Sequence, residues 1–494
     1  MEFINHTPFP AQKFAGVDQH NQEFHVVALR QTLSWDNDGA LVYADEQLPL
    51  CEEDQVASGE DGGFVLQESD YCQFKPRCDI IVNATAYAPQ GKATRWFKVR
   101  LVVKEPDIPA PLPPRPDGIN QFVGPSQALL DDWHSEIAAR RDTPGKLLVD
   151  KHLAISGPRS FRKHVWPLRI VATAVKVLSF GLLRIPTWRL TLPAPVLSVP
   201  INKTYAFGGE CRINADQKAA ARVARRNRLP PQQVSAQRAA EENQSVAIAI
   251  DAYEPNTAGR GFATQWYVNA MRLSSIPAPQ IALSRSTLRA SHFARALDGR
   301  LNSKTSSALV AGFGVRAKAH PARRILAGTI DDDFARGDAW LPDDFDFSVW
   351  NAAEPDQQID FLKGDEIVEL TNMCGIDTPA ARVDEQGNTR LSLSLPRHEC
   401  HLLLRLEGGE MFREPMVIDT LIVDPDHQRI SIIWRLVVAK LDDEPLRAVE
   451  TRMYTFDERD HIRKQIGNVQ MHLQNIDTST TAMGRKTENR LWHG

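Results

Sequence analysis

Three carboxylates crowd the stretch "LPDDFDFSVWNAAEPDQQ", residues 341–358, where Asp343, Asp344 and Asp346 flank Phe345 and precede Phe347, Trp350 and Asn351. Carboxylates this close could hold a calcium ion or act as acid and base in a hydrolysis. An EF-hand loop needs oxygen ligands at alternate positions, a central glycine and a glutamate at its end. Counted from Asp344, Ser348 stands at the third ligand and Val349 at the glycine, so the pattern fails. Asp side chains in such a turn more commonly accept backbone N–H bonds and shape the chain. The aromatic rings can pack into the core, the preferred reading, or anchor a partner. Asp344, Phe345, Phe347, Trp350 and Asn351 are therefore candidate protein-binding residues.

Other chemistry-bearing clusters are weaker. In "RHECH", residues 397–401, a strand would point His398 and Cys400 one way and Glu399 and His401 the other. A tetrahedral metal site needs ligands that converge, so a structural role is expected and no metal. The glycines of "FGGE" (207–210) and "GFGVRAK" (312–318) do not complete a nucleotide-binding pattern, and no cofactor is expected. No nucleophile elbow or zinc-binding H-E-x-x-H helix occurs. An enzymatic alternative remains a hydrolase pairing Asp344 with His320 or His398. Arg222, Arg225, Arg226 and Arg228 make residues 214–244 basic, but no aromatic residue interleaves them for base stacking. A solvated helix is preferred there, with no nucleic-acid partner. Arg222, Arg225 and Arg226 stand as protein-binding candidates.

The elements that must position these residues are mostly strands. "EFHVVALRQTLSW" and "GALVYAD" flank "DNDG", a hairpin signal. "CDIIVNATAYA" and "TRWFKVRLVV" look like a second hairpin around "PQGK". In the latter, Phe97, Val99 and Leu101 alternate with Lys98 and Arg100, as in a half-buried sheet. The prolines of residues 105–118 exclude regular structure, and Ser126 should then cap a helix bearing Leu129, Leu130, Trp133 and Ile137. Further strands are expected in "KLLVDKHLAISG" and, from residue 365, in "EIVELTNM", "TRLSLSLP", "HLLLRLEG", "MVIDTLIVD" and "RISIIWRLVVAK". The expected fold is α+β and mainly β: antiparallel sheets with helical insertions. Its regions are residues 1–104 (β), 105–150 (insertion), 151–440 (the β-rich remainder with the basic insertion 214–244) and 441–494 (helix and polar tail).

The totals fit a soluble globular chain of 494 residues with a net charge of -4, which names no polyanionic partner. Six cysteines without zinc spacing suggest reduced thiols. The start "MEFINHTPFP" has no signal-peptide pattern, so a cytoplasmic location is expected. Around residues 168–186 Lys176 and Arg184 interrupt the apolar run, so no membrane span is expected and a buried core element is preferred.

Several segments together resemble the bacterial family catalogued as domain of unknown function 2169. They are "FKPRCDIIVNATAYAPQGK" (Phe74 to Lys92), "YAFGGE" (Tyr205 to Glu210), "YEPNTAGRGF" (Tyr253 to Phe262) and "AGFGVRAKAHPARRILAGTID" (Ala311 to Asp331). After these come residues 341–358, "FLKGDEIVELTNM" (Phe361 to Met373) and "VIDTLIVDPDHQRISIIWR" (Val417 to Arg435), in the family's order. The chain departs from the usual pattern at "PAPQIA" (277–282) and "GVRAKAHPAR" (314–323), which loses a Trp and a Pro. The resemblance implies a non-enzymatic adaptor or chaperone of type VI secretion. Its partners would be an effector toxin and spike proteins of the VgrG/PAAR type. A structural subunit of the secretion apparatus is a further alternative.

Overall fold

The sequence "EFHVVALRQTLSW" forms the strand Glu23–Trp35, and its residues Val26 to Leu33 are buried on both faces. It belongs to a computed structural model that describes residues 1–20, 22–57, 63–116, 125–164, 166–179, 187–213, 248–285, 289–297, 310–329, 341–440 and 445–461. Seven strands make the first sheet, in the order Ala11–Val17, Glu23–Trp35, Arg429–Ala439, Val417–Asp424, Cys78–Val82 and Gln358–Ile359, with Leu41–Tyr43 beside the end of Glu23–Trp35. Only the Cys78–Val82 and Val417–Asp424 pair is parallel in this sheet. The expected hairpin around residues 36–39 is present, and Gly39 takes the positive φ of 86° that its turn requires.

A second, wholly antiparallel sheet has six strands: Ile281–Ala282, Leu147–Ser156, Trp96–Lys104, Ile367–Thr371, Thr389–Ser394 and Arg382–Val383. A third has four: Glu2–Asn5, Leu446–Thr455, His398–Leu406 and Met411–Pro415. One apolar core joins all three sheets, from Leu29, Ile80 and Val82 through Val99, Leu101 and Leu391 to Leu402 and Val449. A smaller core gathers Phe161, Trp188, Phe207, Tyr253 and Phe293, where the Phe161 and Phe293 rings stack at 4.2 Å. The protein is thus mainly β, with antiparallel sheets and short helices between them.

Three features depart from the sequence pattern. "CDIIV" and "TRWFKVRLVV" do not pair with each other: Cys78–Val82 lies inside the first sheet and Trp96–Lys104 inside the second. Every residue of Cys78–Val82 is buried, and an uninterrupted apolar run belongs in a sheet interior rather than in a half-solvated hairpin. The helix Trp166–Leu178 is not a buried core element, since Ile170, Val171, Val177 and Leu178 are all exposed. Among the described residues no helix is long and apolar enough to cross a membrane. Finally, Leu446–Thr455, which the sequence pattern does not single out, is a strand pairing Glu2–Asn5 on one side and His398–Leu406 on the other.

Ser126 does cap the helix Gln127–Ala139, accepting from the Leu129 amide at 3.4 Å. No residue of that helix is buried. The proline-rich strap instead lies against it, with the Trp133 indole donating to the Pro113 carbonyl at 3.1 Å. All six cysteines are buried free thiols.

Candidate functional site

The acidic stretch divides into two halves. In the first, Asp344 accepts from the amide and the hydroxyl of Thr329, both at 2.7 Å, and these bonds hold its carboxyl below the usual range. Asp346 accepts from the Ser348 amide at 2.8 Å and caps the 3-10 turn Phe347–Trp350. Both shape turns, as the residue types suggested. Phe345 is buried, its carbonyl takes the Gln19 side chain at 2.7 Å, and its ring meets Phe347 edge-on at 5.2 Å. Phe347 continues the contact to Phe74, and the Lys318 ammonium lies 5.9 Å from the ring centre of half-buried Trp350.

The second half is seated on a buried carboxylate that no catalytic or metal-binding sequence motif marks. Asp79 accepts from the Asn351 side chain at 3.2 Å and from the amides of Ala352 and Ala353 at 2.8 and 3.1 Å. The Lys75 ammonium reaches Asp79 at 2.9 Å and the Thr420 hydroxyl at 2.8 Å. Asn351 also donates to the Arg77 carbonyl at 2.7 Å. Farther along, Gln357 donates to the carbonyls of Ile80 and Phe313 and accepts from Lys151, each within 3.0 Å. Burial alone would raise the Glu354 pKa, but paired Lys203 and nearby Lys151 and Arg316 outweigh it and lower it.

Two more buried ion pairs complete this seam. Arg435 pairs with Asp419 and donates to the carbonyls of Asp70 and Cys72 at 2.9 and 2.8 Å. Burial would depress the Arg435 pKa, yet the Asp419 charge outweighs it and the net shift is upward. Arg323 forks onto Glu68 at 2.6 and 2.8 Å and donates through Nε to the Val349 carbonyl at 3.0 Å. Segments hundreds of residues apart in sequence are therefore bolted together by their own charged side chains. A buried charge persists only when paired and hydrogen-bonded, and here the partners come from other motifs. The available signal was a charge inside an apolar run, as Asp79 in "CDIIV", Asp419 in "VIDTLIV" and Arg435 after "SIIW".

The residues of the hydrolase alternative have separate commitments. His398 is buried, with its Nδ1 2.7 Å from the Gln31 amide nitrogen. His320 accepts the Ala322 amide at 3.1 Å, and burial together with Arg316 pulls its pKa down to about 4. Asp344 serves Thr329. The strand His398–Leu406 does alternate as expected, with His398 and Cys400 inward and Glu399 and His401 half-buried on the other face. Among the described residues no three His, Cys, Asp or Glu side chains are grouped to hold a metal.

The segments "YAFGGE" and "YEPNTAGRGF" embrace each other: Phe207 and Gly208 pair in parallel with Arg260 and Gly261. A Cβ on Gly208 would come within 2.0 Å of the Asn256 carbonyl oxygen, so only glycine fits that approach. Arg222, Arg225 and Arg226 lie outside the described residues.

Open surface lies elsewhere. A cleft of about 650 Å³ runs beside Cys400, Met416, Trp434 and Phe456. It shares His401 and Arg413 with a second cleft of about 330 Å³ that reaches Leu403 and Tyr454. Both open along the four-stranded sheet.

No curated protein and no solved structure matches this chain. Residues 20–113 and 122–435 match the family described as "Uncharacterized protein conserved in bacteria", with the break, residues 114–121, across the end of the proline-rich strap. The segments of the buried seam, from Asp79 to Arg435, fall within that match, and the chain belongs to the domain of unknown function 2169 family.

Proposed function

We propose that the protein is a non-catalytic cytoplasmic adaptor that binds a type VI secretion effector toxin and helps seat it on a spike of the VgrG/PAAR type. The observation that carries this reading is the helix Trp166–Leu178. Its residues Ile170, Val171, Val177 and Leu178 recur at a spacing of seven, so they share one side, and they are 48–80% exposed. An apolar face held in water marks a surface for another macromolecule. The buried ion pairs support the same reading, because they give the segments shared with the family a structural task. The resemblance supplies the partner class. The proline-rich strap and the helix Gln127–Ala139 add a surface between the strands Trp96–Lys104 and Leu147–Ser156, which such a protein can vary with its client.

The test is co-expression of the tagged chain with a type VI effector toxin and a spike protein from the same genome. A complex of defined stoichiometry on size exclusion is expected. Deleting residues 108–145 should then remove the toxin while the rest stays folded. A chain that binds neither protein overturns the reading.

A further inference from the structure

Met411–Pro415 closes one side of the four-stranded sheet, and among the described residues no strand pairs with its outer edge. All five of its residues are exposed. The register places Arg413 opposite Leu403 and Met411 opposite Arg405. Next to it, the Met416 amide donates to the Cys400 carbonyl at 2.8 Å and the Leu406 amide to the Glu410 carbonyl at 3.0 Å. Inward- and outward-facing backbone groups alternate along an antiparallel strand. Phe412 and Glu414 therefore bond to His398–Leu406, whereas Met411 and Arg413 aim their amides and carbonyls outward. Such an edge accepts an added strand.

The side chains beside that edge set its charge. Arg405 and Arg452 both reach the Glu450 carboxylate, at 2.5 and 3.2 Å. That carboxylate is buried beneath them while both guanidinium side chains stay over 40% exposed, so solvent meets the cations. Arg413 lies 5.1 Å over the Tyr454 ring and makes no ion pair among the described residues. The two contiguous clefts on this face are lined by five Lys or Arg residues against Asp365 and Glu399. Glu414 points to the opposite face from Arg413, so the cleft face is cationic: it repels a second copy of itself and attracts an acidic strand.

Resting on the adaptor reading, we propose that this edge and its clefts are a second client-docking site, engaged together with the surface around residues 108–145. The occupant is an extended segment of the effector carrying Asp or Glu at alternate positions. It pairs with the backbone of Met411 and Arg413. Its alternate side chains, all on one face of a strand, lie beside Arg413 and reach towards Arg405 one strand farther in.

Two variants of the full-length protein separate the contributions. Met411→Pro removes an outward amide and leaves the ladder to His398–Leu406 intact; Arg413→Glu keeps the amide and reverses the charge. Titrated with the purified type VI effector toxin that the wild-type chain binds, each variant should lose about tenfold or more in affinity. Arg413→Glu should also weaken the salt dependence of binding, while the urea midpoints of both stay near wild type. In the wild-type complex the amides of Met411 and Arg413 should gain protection from hydrogen exchange. Wild-type affinity in both variants, or unchanged exchange at those amides, overturns the docking site and leaves the adaptor reading standing. If a variant does not fold, the exchange measurement on the wild type decides. A wild-type chain that does not bind the toxin at all overturns both.

Discussion

Asp344 and Asp79 carry the same carboxylate into opposite surroundings. Asp344 is exposed in an acid-rich stretch of the chain and closes one turn through Thr329. Asp79 is fully buried in a run of apolar residues and fastens Lys75, Asn351, Ala352 and Ala353. In water a carboxylate exchanges protein donors for solvent at little cost, but a buried one has no such substitute. A dense patch of charge in the sequence therefore points to a turn. A lone charge among aliphatic residues points to the place where distant segments are held.

The sharpest way to break this comparison is Asp79→Ala. It strands the Lys75 ammonium without its carboxylate and leaves two amides without acceptors, so stability should fall by about 3–5 kcal/mol. Urea unfolding measures it, and adding Lys75→Met to the variant should recover part of the loss. A cost below about 1 kcal/mol would place Asp79 with the exposed acids, and the contrast would fail.

A second prediction uses pH. His320 caps the helix Pro321–Arg324 as the neutral imidazole. Burial first, then the cations Arg316, Lys203 and Arg323, hold its pKa down to about 4, with Glu354 opposing them. The folded value lies below the unfolded value of about 6.5, so the unfolded chain binds the proton more readily. Stability is intact above about pH 6.5 and is lost as pH falls towards about 4, on the order of 2–3 kcal/mol from this group. His320→Asn keeps an acceptor and removes the titration, so the urea midpoint should fall less between pH 7 and 4.5. Burial also lowers His25 and His398, which add to the remaining slope in the same direction, while burial raises Asp70 and Glu366, which oppose it. An unchanged slope would show that His320 is already charged in the folded chain.

Much of the architecture was legible because strands advertise themselves by alternation. "TRWFKVRLVV" places Phe97, Val99 and Leu101 in the core and Lys98 outside, and the structure does so. Partner choice was not legible, because pairing "CDIIV" with Val417–Asp424 depends on contacts more than three hundred residues apart. The strand Leu446–Thr455 hid for a different reason. Glu450 and Arg452 lie on its outer face and interrupt the apolar pattern, although Glu450 is buried under arginines. In the site, the turn roles of Asp344 and Asp346 followed from residue type. The Asp79 seat could not, since its donors arrive from Lys75 and from residues 351–353 only after the sheet has formed.

Asn351→Ala sharpens the comparison inside the second half of the stretch. It removes donors from the Arg77 carbonyl and Asp79 while leaving the ion pair, so a loss of about 1–3 kcal/mol is expected by urea unfolding. A loss as large as that of Asp79→Ala would mean that the side-chain amide, and not the ion pair, fastens this loop.

The smallest effects belong to the conspicuous acids. Asp346→Ala deletes the cap of Phe347–Trp350 and should cost about 1 kcal/mol, within the usual 0.5–2 kcal/mol for an N-cap. Asp346→Asn retains the accepting oxygen and should cost less than half of that. Asp344→Ala frees the amide and hydroxyl of Thr329 at an exposed site where water replaces the carboxylate, so it should cost less than Asp346→Ala. Urea midpoints of the three variants rank them. If Asp344→Ala or Asp344→Asn left stability unchanged but abolished binding of the toxin, the acidic turn would move from architecture to recognition. The division between a seat and a turn would then have to be redrawn around residue 344.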